Sequence, residues 1–307
     1  MGRSLVCKLL SNDYELVLPV RGPSKVPTKF LENPRVKIVS TLDGQLDEAL
    51  QDVSGVVHLA GLAHVRNTQV KNAFRIANVD LTTRLVNGVK RAGGISLFVN
   101  MSSLAALTDN MSDQIIDDAT IPSPATEYGH SKLQAENCVA SLAELGVTAI
   151  SLRPPVIIGS DAGGNWASLQ RLAASGLPLP FGYVQNRRSL VSIQTVTEAI
   201  HHLFCACPSA ERSGSYCLAD AETLSLRSII TELRAGMGMG ARLVRVPVPV
   251  LNVLNYLPGL GRLTGGLFGD LVVDSSRFNS TFCFQGELSL REAIRLSGSN
   301  YRAQIDL

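Results

Sequence analysis

Short uninterrupted apolar runs alternate with longer stretches of helical periodicity through the first half of the chain. Residues Arg3 to Leu10 have the spacing of an amphipathic helix, and Tyr14 to Arg21 read as an apolar strand that ends in a charge. From Arg35 onward, RVKIVS, GVVHLAG, SLFVNMSS and VTAISLR read as strands. Between them LDEALQDV, VKNAFRIANVDLTTRLVNGVKRAGG and a stretch from about Thr126 to Leu145 read as helices. Strands without polar alternation are strands covered on both faces, so the pattern predicts a parallel sheet of the doubly wound α/β class. After about Pro154 the regularity loosens into loops such as GSDAGGNW and GLPLPFGYVQNRRS, with helices expected at about Thr195 to Cys207 and Leu226 to Met237. The expected division is a first domain over residues 1–154 and a smaller α/β lobe over 155–307, some of whose segments return to the first domain.

Composition narrows the classes of partner. At 307 residues the chain can build one large α/β domain or two unequal ones, and its net charge of +2 offers no strong field to nucleic acid or acidic membranes. Neither nucleic acid nor a membrane surface is therefore an expected partner. The most apolar stretch, VRVPVPVLNVLNYLPGLGRLTGGLF, is broken by prolines, glycines and Arg262, so no membrane span is expected. The LVCKLL stretch near the start is too short for a secretory signal. Six cysteines without framework spacing point to a reducing, cytoplasmic compartment.

In open α/β sheets ligands bind beyond the carboxyl ends of the strands. TEYGHSKLQAE places Tyr128 and Lys132 four residues apart on one helix face, where an ammonium would favour the phenolate and make the tyrosine a usable acid/base. YxxxK taken alone is as often a helical pair without a role. Ser102 and Ser103 close the strand SLFVNMSS, either to cap the strand end or to bring a hydroxyl to the same substrate oxygen. HHLFCAC sets His201 and Cys205 at i, i+4 with His202 and Cys207 nearby; core packing is the expected reading, and no metal site is assigned.

Taken in order, HLAGLAHV, NVDLTT, FVNMSS, YGHSK and LRPPVIIG resemble the extended short-chain dehydrogenase/reductase superfamily, in its nucleotide-sugar 4-epimerase and 4-ketoreductase branch (the NAD-dependent epimerase/dehydratase family). The resemblance implies a Rossmann-like first domain that binds a dinucleotide and a second lobe that binds substrate. It implies catalytic roles for Ser103, Tyr128 and Lys132, with Lys132 also on the nicotinamide ribose and Ser103 on the sugar O4. Leu59, Ala60, Gly61, Asn78, Pro155 and Val156 would line the cofactor together with Tyr128 and Lys132. Asn165 and Arg188 would contact the nucleotide diphosphate, for which the guanidinium fork is suited; a solvated surface charge is the alternative for one of the adjacent arginines in NRRSLV. At the end of the strand VLPV no carboxylate stands ready for a ribose hydroxyl, and Arg21 follows, which leans the cofactor toward NADP(H) over NAD(H).

The implied function is an NAD(P)-dependent oxidoreductase at C4 of a UDP-(N-acetyl)hexosamine-type nucleotide sugar, a 4-ketoreductase or 4-epimerase of surface polysaccharide biosynthesis, working as a homodimer. Ala63 and Gln194 depart from residues common in galactose-type epimerases and weigh against that narrower assignment. In the family a first strand and a GxxGxxG turn precede a segment like GRSLV. Gly2 would then be the last glycine of that turn, at the N-terminus of a helix that favours a pyrophosphate. With the first strand and glycine-rich loop absent, a gap in the sheet is expected. A misassigned start, a truncated gene and completion by another chain each account for it. The competing function is a catalytically impaired nucleotide-sugar-binding remnant or scaffold.

Overall fold

The computed structural model of the chain describes residues 1–20, 22, 26–40, 46–63, 72–109, 111–206, 208–247, 250–251 and 268–305. In order these form α1 (Gly2–Leu10), β1 (Leu16–Val20), α2 (Thr28–Leu31), β2 (Val36–Ser40), α3 (Leu46–Ala49), β3 (Gly55–His58), a π-helical turn (Arg75–Asp80), α4 (Leu81–Ala92), β4 (Leu97–Met101) and α5 (Glu127–Ala140). There follow β5 (Thr148–Arg153), β6 (Ile157–Ile158), α6 (Gly164–Ala174), β7 (Arg188–Ser189), β8 (Val191–Ser192), α7 (Ile193–Cys205), β9 (Gly214–Cys217), β10 (Thr223–Leu224), α8 (Leu226–Gly236), α9 (Ser276–Phe282) and α10 (Leu290–Ile305). The chain divides into two compact units. The first takes Met1–Ala106, Glu127–Leu152 and Thr197–Tyr216; the second takes Leu107–Thr126, Arg153–Val196 and Cys217–Leu307.

The first unit is the α/β layer structure that the apolar runs predict. Its main sheet has the order β3-β4-β5-β9, with β3, β4 and β5 mutually parallel. Every residue of β4 and β5 is buried, because helices cover both faces. Phe98, Val139, Leu142, Val86 and Val89 form the packed layer on one side. A second, two-stranded parallel sheet joins β1 to β2 in the register Leu16↔Val36 through Val20↔Ser40.

The expected break in the sheet is present. Among the described residues β1 pairs with β2 alone and β3 with β4 alone. Leu16, Val17 and Leu18 of β1 and Val56 and Val57 of β3 are only half-buried, although their sequences are as apolar as those of β4 and β5. These two strands line one cavity of about 1800 Å³, together with Gly2, Leu59, Ala60, Ala77 and Phe204.

The second unit is built on helices. Trp166, Leu169 and Ala173 of α6, Ile229, Ile230 and Leu233 of α8, and Leu290, Ala293 and Ile294 of α10 share one core. Helices α8 and α10 meet backbone to backbone. A methyl group on Gly236 would run into the carbonyl of Arg295, and one on Gly298 into the carbonyl of Leu233. Glu232, 6% exposed, ties the same pair by accepting from Arg291 Nη1 at 2.9 Å and Arg295 Nε at 2.6 Å. The fully buried Arg234 donates to the carbonyls of Ala173, Leu177 and Ala241, which satisfies its own buried donors.

Alanine in place of glycine ordinarily stabilises a helix interior by about 0.5–1 kcal/mol. At Gly298 the overpacking cost dominates, and Gly298→Ala is expected to lose about 1–3 kcal/mol net. Urea denaturation with an unchanged m-value and a lower midpoint is the expected outcome.

Candidate active site

The candidate site of the first unit assembles at the carboxyl end of β4. After Met101 the chain leaves the sheet, and Leu104–Ala106 form a 3₁₀ turn that fixes Ser102 and Ser103 at the strand end. Ser103 Oγ accepts from the Ala105 amide at 3.2 Å and is also bonded to the Tyr128 phenol. Of the two uses open from the sequence, the Ala105 bond shows a local cap at the strand end, on the same residue that reaches the Tyr128 phenol.

Helix α5 crosses this strand end with Tyr128 and Lys132 on the same face. Lys132 is 8% exposed, and its Nζ donates to the Met101 carbonyl at 2.9 Å. Burial lowers its pKa to about 8, against the opposing pull of Glu136. Burial raises the Tyr128 pKa, and the bond from Ser103 offsets part of that rise. The sequence-based expectation that Lys132 lowers the Tyr128 pKa is not met in this geometry. The ammonium is aimed at the Met101 carbonyl, and desolvation of the phenolate dominates.

Asn78 holds the opposite wall. It lies in the π-helical turn Arg75–Asp80 and is 1% exposed. Its Oδ1 accepts from the Leu62 amide at 2.7 Å, and its Nδ2 donates to the Leu62 carbonyl at 3.0 Å and to Ser131 Oγ at 2.9 Å. Ser131 Oγ donates in turn to the Tyr128 carbonyl at 2.7 Å. Asn78 thus clamps the segment after β3 onto the first turn of α5. Gly61 fits between them because a Cβ there would sit 2.9 Å from Asn78 Oδ1 and 3.1 Å from Lys132 Nζ. Below it His58 Nε2 lies 2.9 Å from Thr82 Oγ1, itself bonded to the Asn78 carbonyl.

Gly2, Leu59 and Ala60 line the cavity described above, and a Cβ on Gly2 would meet nothing within 4 Å. These residues fit a dinucleotide. The α1 N-terminus points its first-turn backbone N–H groups where a helix can hold a phosphate, the exposed backbone at Ala60–Gly61 admits close approach, and one of the three Lys132 donors is engaged among the described residues. Arg21 and Cys207 lie outside the described residues. His201 Nε2 and Cys205 Sγ are 3.6 Å apart.

The remaining expected residues belong to the second unit. Val156 packs against its core, and Pro155 beside it is half-buried. Asn165 is exposed in the first turn of α6. The two adjacent arginines are resolved by burial: Arg187 is exposed, whereas Arg188 is 4% exposed and donates from Nη1 to the Gly269 carbonyl at 3.0 Å. Burial lowers the Arg188 pKa, opposed by Asp270. Sequence reasoning passed over Ser131, Thr82 and Glu136. Ser131 stands inside YGHSK and could have been found there; the other two look like ordinary helix residues.

The profile of the NAD dependent epimerase/dehydratase family matches residues 1–219, and the chain belongs to that family. Among characterised relatives, a UDP-glucose 4-epimerase of Vibrio cholerae is 27% identical over 251 residues, covering 80% of this chain and 76% of that protein. A 4-hydroxy-2-methyl-3-oxo-4-farnesyl-3,4-dihydroquinoline-1-oxide ketoreductase of Stigmatella aurantiaca is 27% identical over 261 residues, covering 84% and 76%. In fold, the chain matches UDP-glucuronic acid 4-epimerase from Bacillus cereus in complex with NAD, with a TM-score of 0.75 at 18% identity over 99% of this chain and 95% of that one. It also matches MoeE5 in complex with UDP-glucose and NAD, with a TM-score of 0.74 at 21% identity over 99% and 96%. No helix among the described residues is long and apolar enough to cross a membrane.

His58 gives a direct test of the buried polar layer. Burial first, and the Lys132 charge second, lower its pKa from 6.5 to about 4, so the folded protein holds it neutral where the unfolded chain protonates it. Stability from this group is complete above pH 6.5 and is lost as the pH falls from there through about 4, by on the order of 3 kcal/mol. Histidine NMR, with the His58 ring assigned by its loss in His58→Asn, should show that ring titrating near pH 4; titration of that same ring near 6.5 would contradict this packing.

Proposed function

We propose that the protein is an NAD(P)-dependent oxidoreductase acting at C4 of a nucleotide sugar, as a 4-ketoreductase or 4-epimerase, on a UDP-(N-acetyl)hexosamine in surface polysaccharide biosynthesis. The observation that carries this reading is the convergence of Ser103, Tyr128 and Lys132 at the end of β4, beside an exposed backbone stretch at Ala60–Gly61. The bound nicotinamide supplies the two-electron chemistry. The chain's own residues handle the proton and the charge. Tyr128 gives its phenolic proton to the sugar O4 in the reducing direction and takes it back in the oxidising one. Ser103 donates a hydrogen bond to the same oxygen as negative charge develops there. Lys132, its pKa lowered to about 8 by burial, binds the nicotinamide ribose with donors not spent on Met101. A 4-epimerase uses the same groups twice, on the two faces of a 4-keto sugar.

The relatives include both an epimerase and a ketoreductase, which supports the pair of reactions without separating them. Arg21 leans the cofactor toward NADP(H), because a guanidinium at the end of this strand suits a 2′-phosphate. Asn165 and Arg188 are assigned to the diphosphate, and the buried setting of Arg188 supports a fixed role for it. Helices of the first unit, including α4 and α5, are assigned to a homodimer contact, and the compartment is taken to be the cytoplasm. The broken sheet favours a second reading, a nucleotide-sugar-binding protein impaired in catalysis.

Fluorescence titration with NADPH and NADH, followed by assay of 4-keto and 4-hydroxy sugar nucleotides, tests both. Tyr128→Phe is expected to lower kcat by about 10²–10⁴-fold while cofactor affinity stays within about twofold. Saturable cofactor binding with no turnover of any sugar nucleotide supports the impaired binder; activity undiminished in Tyr128→Phe overturns the catalytic assignment.

A further inference from the structure

Three successive residues at the end of β4 each meet a different side chain of α5. The Met101 carbonyl accepts from Lys132 Nζ at 2.9 Å, Ser102 Oγ donates to Glu136 Oε1, and Ser103 Oγ bonds the Tyr128 phenol. Residues 128, 132 and 136 stand one helical turn apart on one face, so the strand end is gripped at three consecutive points by three consecutive turns. Two of the three α5 side chains belong to the proposed chemistry. The third, Glu136, does not.

Glu136 is 4% exposed, and Ser102 beside it is also 4% exposed. Its other oxygen, Oε2, accepts from Ser215 Oγ of β9 at 3.1 Å. The Ser102 amide donates to the Leu152 carbonyl at 2.8 Å and carries the β4–β5 ladder one residue past the strand. A buried carboxylate is a costly way to fill space, since apolar groups of the same volume pack as well or better. What it adds is direction: two accepted hydroxyl bonds fix Ser102 from both the helix and the sheet. It also adds a negative charge one turn from the buried ammonium of Lys132.

We propose that Glu136 is a positioning residue for the Ser103–Tyr128 pair, holding Ser102 so that the next residue presents its hydroxyl at the phenol and setting its own carboxylate one helical turn from Lys132. The proposal rests on the functional reading above in giving that pair work to do. The groups set about Lys132 are Glu136 one turn on along its own helix, with Tyr128 one turn before it, His58 from β3, the Met101 carbonyl from β4, and Gly61 after β3. Glu136 is the one carboxylate that the structure couples to it among the described residues.

The test uses the full chain. Glu136→Gln keeps the shape and removes the charge and one acceptor; kcat is expected to fall by about 10²-fold, the cost of a small misplacement of reacting groups, with KM for the sugar nucleotide within about twofold. Ser102→Ala keeps the charge and breaks the link, so kcat falls while Lys132 titrates as in the parent. Ser215→Ala removes only the sheet-side hydroxyl and is expected to lower kcat less than Ser102→Ala does. The second readout needs no substrate: ¹³C NMR of lysine-labelled protein, with Lys132 assigned through Lys132→Met. In Glu136→Gln the Lys132 resonance should titrate below the parent value of about 8, because the charge that favours its ammonium is gone. A folded Glu136→Gln protein with unchanged kcat, or with an unmoved Lys132 titration, overturns the proposal. If Glu136→Gln does not fold, Glu136→Asp, which keeps the charge but draws it back from Ser102, takes its place; a kcat equal to the parent's then overturns it. A parent chain that turns over no sugar nucleotide sinks the functional reading, and the lysine titration still decides whether Glu136 sets the charge of Lys132.

Discussion

An ammonium group held out of water must be surrounded by oxygen, and the first unit is organised around that requirement at Lys132. Burial of an unpaired charge would cost several kcal/mol. The group is met by the Met101 carbonyl and the carboxylate of Glu136 one turn on, and Gly61, having no side chain, leaves it room. Each of these partners is itself held. Met101 ends a strand buried along its whole length, Glu136 accepts two hydroxyl bonds, and Gly61 lies beside Asn78, which is bonded on three sides. The neutral state of His58 comes first from its own burial, and the nearby Lys132 charge adds to it.

Burial divides the strands of this unit into two kinds. β4 and β5 are covered on both faces and paired on both edges, so they are anchors for anything attached to their ends. β1 and β3 border a cavity, and each has one neighbour among the described strands. Strand edges left open are sites where sheets add further strands or aggregate. The candidate acid/base residues sit at the end of the firmly held part, whereas Leu59 and Ala60 continue a strand that borders the opening.

Much of this was legible before any coordinates, for physical reasons that differ by element. Continuous apolar runs marked β4 and β5 because two covered faces leave no room for polar alternation. β1 and β3 have the same signature yet are half-exposed, since composition records what a strand can bury and not whether a neighbour is there to bury it. The helix read through Leu145 ends at Ala140; a 3₁₀ turn at Ala143–Leu145 and Gly146 at φ 79° follow, where left-handed backbone closes the segment. YxxxK was visible as spacing, but the direction of the Lys132 donor was not, because a main-chain carbonyl leaves no trace in sequence. Adjacent Arg187 and Arg188 were equivalent on paper; Arg188 opens the buried strand β7, whereas Arg187 lies just before it and is exposed.

The π-helical turn at Arg75–Asp80 is the least legible element, since hydrogen bonding to the fifth residue has no characteristic composition. It sits directly against α4, whose Leu85, Val86 and Val89 remain buried as the apolar stripe requires. One residue more per turn rotates everything upstream of it relative to everything downstream. Asn78 can thereby face Leu62 and Ser131 without rotating that stripe away from the core. The extra residue uncouples two demands that a regular helix would force into one phase: recognition on one turn and packing on the next. Mutational change can then alter what the turn displays while the helix behind it keeps its seat.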